Sequence, residues 1–193
     1  MKIYGDTTSG NCLKIKFTTD FLRMPYTWVP ISALDNETKT PEFLRKSIMG
    51  QIPVIELDDG RTLAQSNAII RYLARGTVLL PDDPWTQAKV DEWLFWEQYS
   101  HEPYIAVCRF HLLYKKQPKE TRDPARVERG EQALDLMNDH LARSPFLVGD
   151  ILTIADIALL AYTRVAHEGG FDLDGRPHVR TWIAASERQL KLA

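Results

Sequence analysis

Up to about residue 80 the apolar positions fall in short runs whose period keeps changing. Ile3 and Tyr4 make a brief apolar strand closed by Gly5. From Asn11 the apolar residues Leu13, Phe17 and Phe21 recur every fourth position, with Lys14 and Lys16 set on the other side, which predicts one stripe of a helix. Tyr26-Thr27-Trp28-Val29 is β-branched and aromatic and stops at Pro30, so it reads as a second strand. Thr40 before Pro41 has the form of an N-cap with proline at the first helical position, opening a short helix through Phe43 and Leu44. Ile52 to Leu57 and Arg61 to Ala64 flank Asp58-Asp59-Gly60 as a hairpin. Ser66 then caps a helix carrying Ile69, Tyr72 and Leu73, with Gly76 at its end. The order is β-α-β-α-β-β-α, with the first two strands parallel and the last two antiparallel.

Beyond Leu80 the strand signals vanish. Pro81-Asp82-Asp83-Pro84 serves as linker and helix start together, Asp83 capping and Pro84 in the first turn. Trp93, Trp96 and Tyr99 follow on nearby faces of a long helix that Pro103 is expected to kink. Asp123-Pro124 repeats the start, and Val127, Leu134, Met137 and Leu141 form an apolar face. Thr153-Ile154-Ala155-Asp156 opens a very apolar helix, and a last helix after Pro177 buries Val179, Trp182 and Ile183. The expected architecture is therefore a small α/β unit followed by an all-α unit, divided as residues 1–78, a linker 79–86, and 87–193.

Composition narrows the function classes. The 193 residues carry 24 Lys plus Arg against 26 Asp plus Glu, a formal charge of −2, which leaves no electrostatic footprint for a nucleic-acid backbone or an anionic membrane. An apolar fraction of 44% and a charged fraction of 26% suit a globular chain and exclude a disordered one. No run approaches the roughly 18 apolar residues of a membrane span, and Met1 to Asp6 has no apolar signal core, so the expected location is cytoplasmic. Two cysteines, Cys12 and Cys108, are too few for a disulfide framework or, alone, a zinc site.

Three short segments could carry chemistry. Ser9-Gly10-Asn11-Cys12 stands between the first strand and the first helix, where an α/β unit collects ligands; Ser9 either caps the helix or points at an anion. Pro53 cannot donate to a strand ladder, so it is either a trans edge proline or a cis proline that frees the backbone of Ile52. Gln65-Ser66 is either a plain helix cap or a carboxylate-sized anion site.

Together with the element order, these segments resemble the cytosolic glutathione S-transferases over essentially the whole chain. The likeness rests on Ser9-Gly10-Asn11, Thr40-Pro41-Glu42-Phe43, Gly50-Gln51-Ile52-Pro53-Val54, Gln65-Ser66-Asn67-Ala68-Ile69 and Thr153-Ile154-Ala155-Asp156, and it is closest to the bacterial serine-type, theta/nu-like members. The resemblance implies a thioredoxin-like amino-terminal α/β domain (βαβαββα), an all-α carboxy-terminal domain, and a homodimer. It implies that glutathione is the co-substrate, with no metal. Pro53 would be cis, and the Ile52 backbone would pair with the cysteinyl part of glutathione. Gln65 and Ser66 would hold the γ-glutamyl end, and Gln51, with Lys39 as a further candidate, the glycine end. Ser9 and Asn11 would be the catalytic donors to the sulfur. Tyr104 and Arg109, with His101 nearby, would face the electrophile pocket.

A donor of that kind suffices physically. A free thiol titrates near 8.5, and lowering that by about two units needs roughly 2.7 kcal/mol of preferential thiolate stabilisation. One hydrogen bond to a charged acceptor supplies about 1.5–3 kcal/mol, and a helix amino terminus adds a fraction more. Cys12, one turn into the helix with no C-x-x-C, reads as core, as do Tyr4 within the first strand and Cys108 within a helix. Gln65 stands where many relatives have Glu, and Ser47-Ile48-Met49-Gly50 where many have Asn-Pro-Asn-Gly, which removes polar groups near the ligand. The chain ends soon after Leu190, so an open pocket is expected. The expected activity is attack of the glutathione thiolate on small electrophiles. The alternatives are glutathione-dependent disulfide or peroxide reduction, and a non-enzymatic interaction module on the same fold.

Overall fold

The computed structural model describes residues 1–192. It divides into two compact units, Met1–Thr77 and a second beginning at Val78.

The first unit has the expected order, with β1 (Lys2–Gly5), α1 (Gly10–Phe21), β2 (Thr27–Pro30), α2 (Pro41–Lys46), β3 (Val54–Glu56), β4 (Thr62–Ala64) and α3 (Ser66–Leu73). Its sheet runs β2-β1-β3-β4; β1 and β2 are parallel, and β3 is antiparallel to both β1 and β4. This is the thioredoxin-like arrangement. The strand read as Ile52 to Leu57 is shorter, because Pro53 has no N–H to give and the ladder starts only at Val54. Helix α1 departs further from the expected single stripe. Cys12, Lys14, Ile15, Thr18 and Thr19 are buried along with Phe17, because α1 packs along α3 and is covered on more than one side. Lys14, which the helical spacing sets on the solvent side, is fully buried.

The second unit is helical: α4 (Pro84–Trp96), α5 (Glu102–Arg109), α6 (Pro124–Leu141), α7 (Ile154–Thr163) and α8 (Pro177–Leu190). Asp83 and Asp123 cap α4 and α6 through Thr86 N–H and Ala125 N–H, with proline next in each case. The stretch before α4 is packed chain: Leu79 and Leu80 are buried, and the Leu79 carbonyl accepts from Ile154 N–H at 3.0 Å. Pro103 does not simply kink a helix. A π-helical turn, Glu97–His101, precedes it, closed by Glu102 N–H to the Glu97 carbonyl, and the chain continues directly into α5. The wider turn removes the clash that a proline ring makes with an α-helical carbonyl four residues back. A second π turn, Phe110–Tyr114, follows α5.

All ten residues of α7 are buried, and the capping box at its start is complete: Thr153 accepts from Ala155 N–H and Asp156 accepts from Thr153 N–H. Asp156 also accepts from Leu147 N–H and Trp182 Nε1–H, each at 2.9 Å, joining the loop before α7 and helix α8 to one carboxyl. Elsewhere in this unit, Gly130 on α6 faces Phe171 so closely that an added Cβ would stand 2.5 Å from the ring. Among the described residues no helix is long and apolar enough to cross a membrane.

Candidate functional site

Two helix amino termini of the first unit meet. Ser9 is the N-cap of α1, half-buried, and its side chain makes no capping hydrogen bond. Two residues on, Asn11 accepts at Oδ1 from the Ser66 hydroxyl at 2.9 Å. Ser66 is the first residue of α3, so this bond sets the starts of α1 and α3 side by side. The first-turn N–H groups of both helices contribute positive potential there, which suits an anion.

The cap of α3 is Gln65, where the sequence had pointed to Ser66. Gln65 has φ +70° and ψ 114°, a conformation that L residues rarely adopt. Such a residue costs about 1–3 kcal/mol and persists where its neighbours hold it, typically at a binding site. Its side chain is exposed and donates to Met49 Sδ at 3.0 Å.

The Ile52–Pro53 peptide bond is cis, as the resemblance implied. Ile52 stands outside the β3 ladder, so no neighbouring strand takes up its N–H or C=O. Gln51 beside it is exposed. Lys39 reaches the same turn from the other side, donating to the Gly50 carbonyl at 2.8 Å and the Met49 carbonyl at 3.5 Å. Gly50 has φ +57°, and an added Cβ would lie 2.8 Å from Lys39 Nζ and 2.9 Å from the Thr38 carbonyl, so no larger residue fits this approach.

Both cysteines are buried. Burial pushes the Cys12 thiol up to about 11, against the pull of the Ser9 hydroxyl and the Asp6 N–H on its sulfur. A protonated, enclosed thiol is a poor nucleophile, which counts against a reductase mechanism that runs through Cys12. Tyr4 is likewise occupied: its hydroxyl donates to Glu56 at 2.8 Å, within a cluster completed by Lys46 and Lys2.

The candidates in the helical unit are more scattered. Arg109 is buried and ion-paired with Glu168 in the turn 166–169, and it stacks on Tyr114. His101 is fully buried and bonds Thr163 at 2.9 Å. Tyr104 is half-buried, its hydroxyl accepting from Arg129 at 3.0 Å. A groove of about 690 Å³ runs between α4 and α6, lined by Trp93, Trp96, Leu136 and His140 among others; none of these three candidates lines it. The signal missed in the sequence was Lys14, whose spacing from Asn11 and Thr18 places all three on one face of α1.

The family model for the glutathione S-transferase N-terminal domain matches residues 8–75, and that for the C-terminal domain matches residues 119–185. A maize (Zea mays) protein named glutathione S-transferase 3 is 34% identical, over 96% of this chain and 88% of its own. The chain belongs to the glutathione S-transferase family. Solved bacterial members agree: a glutathione S-transferase from Pseudomonas fluorescens is 49% identical with a TM-score of 0.94, covering 96% of this chain and 94% of its own. A second, from Xanthobacter autotrophicus, is 43% identical with a TM-score of 0.92, covering 96% and 92%. Among glutathione S-transferases this chain thus has both plant and bacterial relatives, and it is an enzyme of that class.

Proposed function

We propose that the protein conjugates glutathione to small electrophiles as a serine-type transferase, with the thiolate held at the start of α1. The observation that carries this reading is the Ser66–Asn11 hydrogen bond, because it brings the segment suited to a carboxylate against the segment suited to a sulfur. Ser9 and Asn11 donate to the thiolate, Gln65 and Ser66 receive the γ-glutamyl end, and the Ile52 backbone pairs with the cysteinyl part. Gln51 takes the glycine end, with Lys39, which donates to the neighbouring Gly50 carbonyl, assisting. Ser9-Gly10-Asn11 is what favours the bacterial serine-type, theta/nu-like branch. The helical unit supplies the contacts to the electrophile, with Tyr104 and Arg109 as the candidates, each already holding one partner, Arg129 and Glu168. A homodimer is the working unit; the exposed Trp85, Phe95 and Tyr99 on and just after α4 give the helical unit an apolar stripe suited to covering.

The test is Ser9→Ala, assayed for glutathione binding by calorimetry and for conjugation of a model aryl halide. Binding should persist while conjugation falls about tenfold or more, since a positioned donor normally contributes at least that much. A smaller loss removes Ser9 from the role.

A further inference from the structure

Lys14 occupies a position that lysine takes only when its nitrogen is held. It has no exposed surface, and its Nζ donates to Asn67 Oδ1 at 3.3 Å and to Ser66 Oγ at 3.4 Å, at the first two residues of α3. Ser66 in turn donates to Asn11 Oδ1 at 2.9 Å. The chain Lys14 to Ser66 to Asn11 has a direction. A lysine nitrogen gives protons and accepts none, so the Ser66 oxygen receives from Lys14 and sends its single proton on to Asn11. Asn11 then holds its amide oxygen toward Ser66, and the edge turned away from Ser66 is the N–H edge. With Lys14 removed, the Ser66 hydroxyl could rotate and accept from the Asn11 amide nitrogen, turning the amide over. For an anion the two orientations are opposite: a thiolate is held by an amide N–H and repelled by an amide C=O.

We propose that Lys14 is a positioning residue for thiolate stabilisation, acting through Ser66 to keep the donor edge of the Asn11 amide turned to the glutathione sulfur. The inference rests on the reading of Asn11 as a donor to that sulfur. It also links the two ends of the ligand, because the hydroxyl that fixes Asn11 belongs to the helix start proposed to receive the γ-glutamyl carboxylate.

The experiment measures ultraviolet thiolate absorbance against pH for the full-length protein saturated with glutathione, together with kcat and KM. Lys14→Met should raise the apparent pKa of the bound thiol by about half a unit to one unit, the loss expected for one misdirected donor. It should lower kcat at neutral pH by a corresponding severalfold. Lys14→Arg, also a pure donor, should restore most of both. An unchanged thiol pKa in Lys14→Met, or a Lys14→Arg variant no better than Lys14→Met, overturns the proposal. Where Lys14→Met does not fold, Ser66→Ala cuts the same chain, and an unchanged thiol pKa there overturns it equally. Wild-type protein that binds no glutathione overturns the transferase reading and this inference together; normal wild-type titration with a silent Lys14→Met overturns this inference alone.

Discussion

Glu56 gathers three donors, Lys46 at 2.6 Å, the Tyr4 hydroxyl at 2.8 Å and Lys2 at 3.3 Å, and is pulled down to about 2, chiefly by Lys46. A carboxyl whose pKa is depressed on folding stabilises the fold above its unfolded value near 4.3, and that contribution is lost as pH falls from there toward 2. Glu56→Gln should therefore cost about 1 kcal/mol at pH 7, allowing for solvent screening. Its melting curve and that of the wild type should converge between pH 4 and 2; a gap constant with pH would contradict the assignment. At this scale the sequence was legible where chemistry is written locally. Ser9-Gly10-Asn11, Ile52-Pro53 and Gln65-Ser66 could be picked out as short segments, and the structure sets Asn11 against Ser66. It was opaque where a partner lies far along the chain. Nothing near Arg109 announces Glu168, and helical spacing treats Lys14 as polar and hence outward, whereas Ser66 and Asn67, more than fifty positions on, draw it inward.

Helix starts were the most readable elements. Thr40, Asp83, Asp123 and Thr153 each cap as expected, because a cap is made by residues two or three apart and needs no tertiary context. The exception, Gln65 in place of Ser66, requires a positive φ that no residue type announces at a non-glycine position. Strand ends were less readable, since pairing with β1 and β4 decides them. Pro103 announced an interruption, but the π turn that absorbs it depends on five residues before it. The Asp156 carboxyl shows how much one cap can bind together: it receives Thr153 at the start of α7, Leu147 in the preceding loop and Trp182 on α8. Asp156→Ala leaves these buried donors without an acceptor and should destabilise the protein by about 3 kcal/mol or more, read as a loss of chemical or thermal stability. A loss below about 1 kcal/mol would mean that water replaces the carboxyl.

The division into an α/β unit and a helical unit was plain from the disappearance of strand signals after Leu80, and the structure places it at Thr77. What the electrophile is was not legible, because the helical unit offers side chains whose chemistry is set by packing. Both of the molecule's own sulfhydryls are sealed: Cys12 is fully buried and Cys108 is 1% exposed, and burial raises the pKa of each. An enzyme whose co-substrate is a thiol risks accumulating mixed-disulfide adducts on itself. Native protein incubated with oxidised glutathione or iodoacetamide at pH 7.5 should keep its unmodified mass, and gain two adducts only once unfolded. Adduct formation on the native protein would show that one sulfur opens to solvent. With both sealed, the protein should need no reductant in storage, and changes in the surrounding redox balance should reach its activity through the substrate alone.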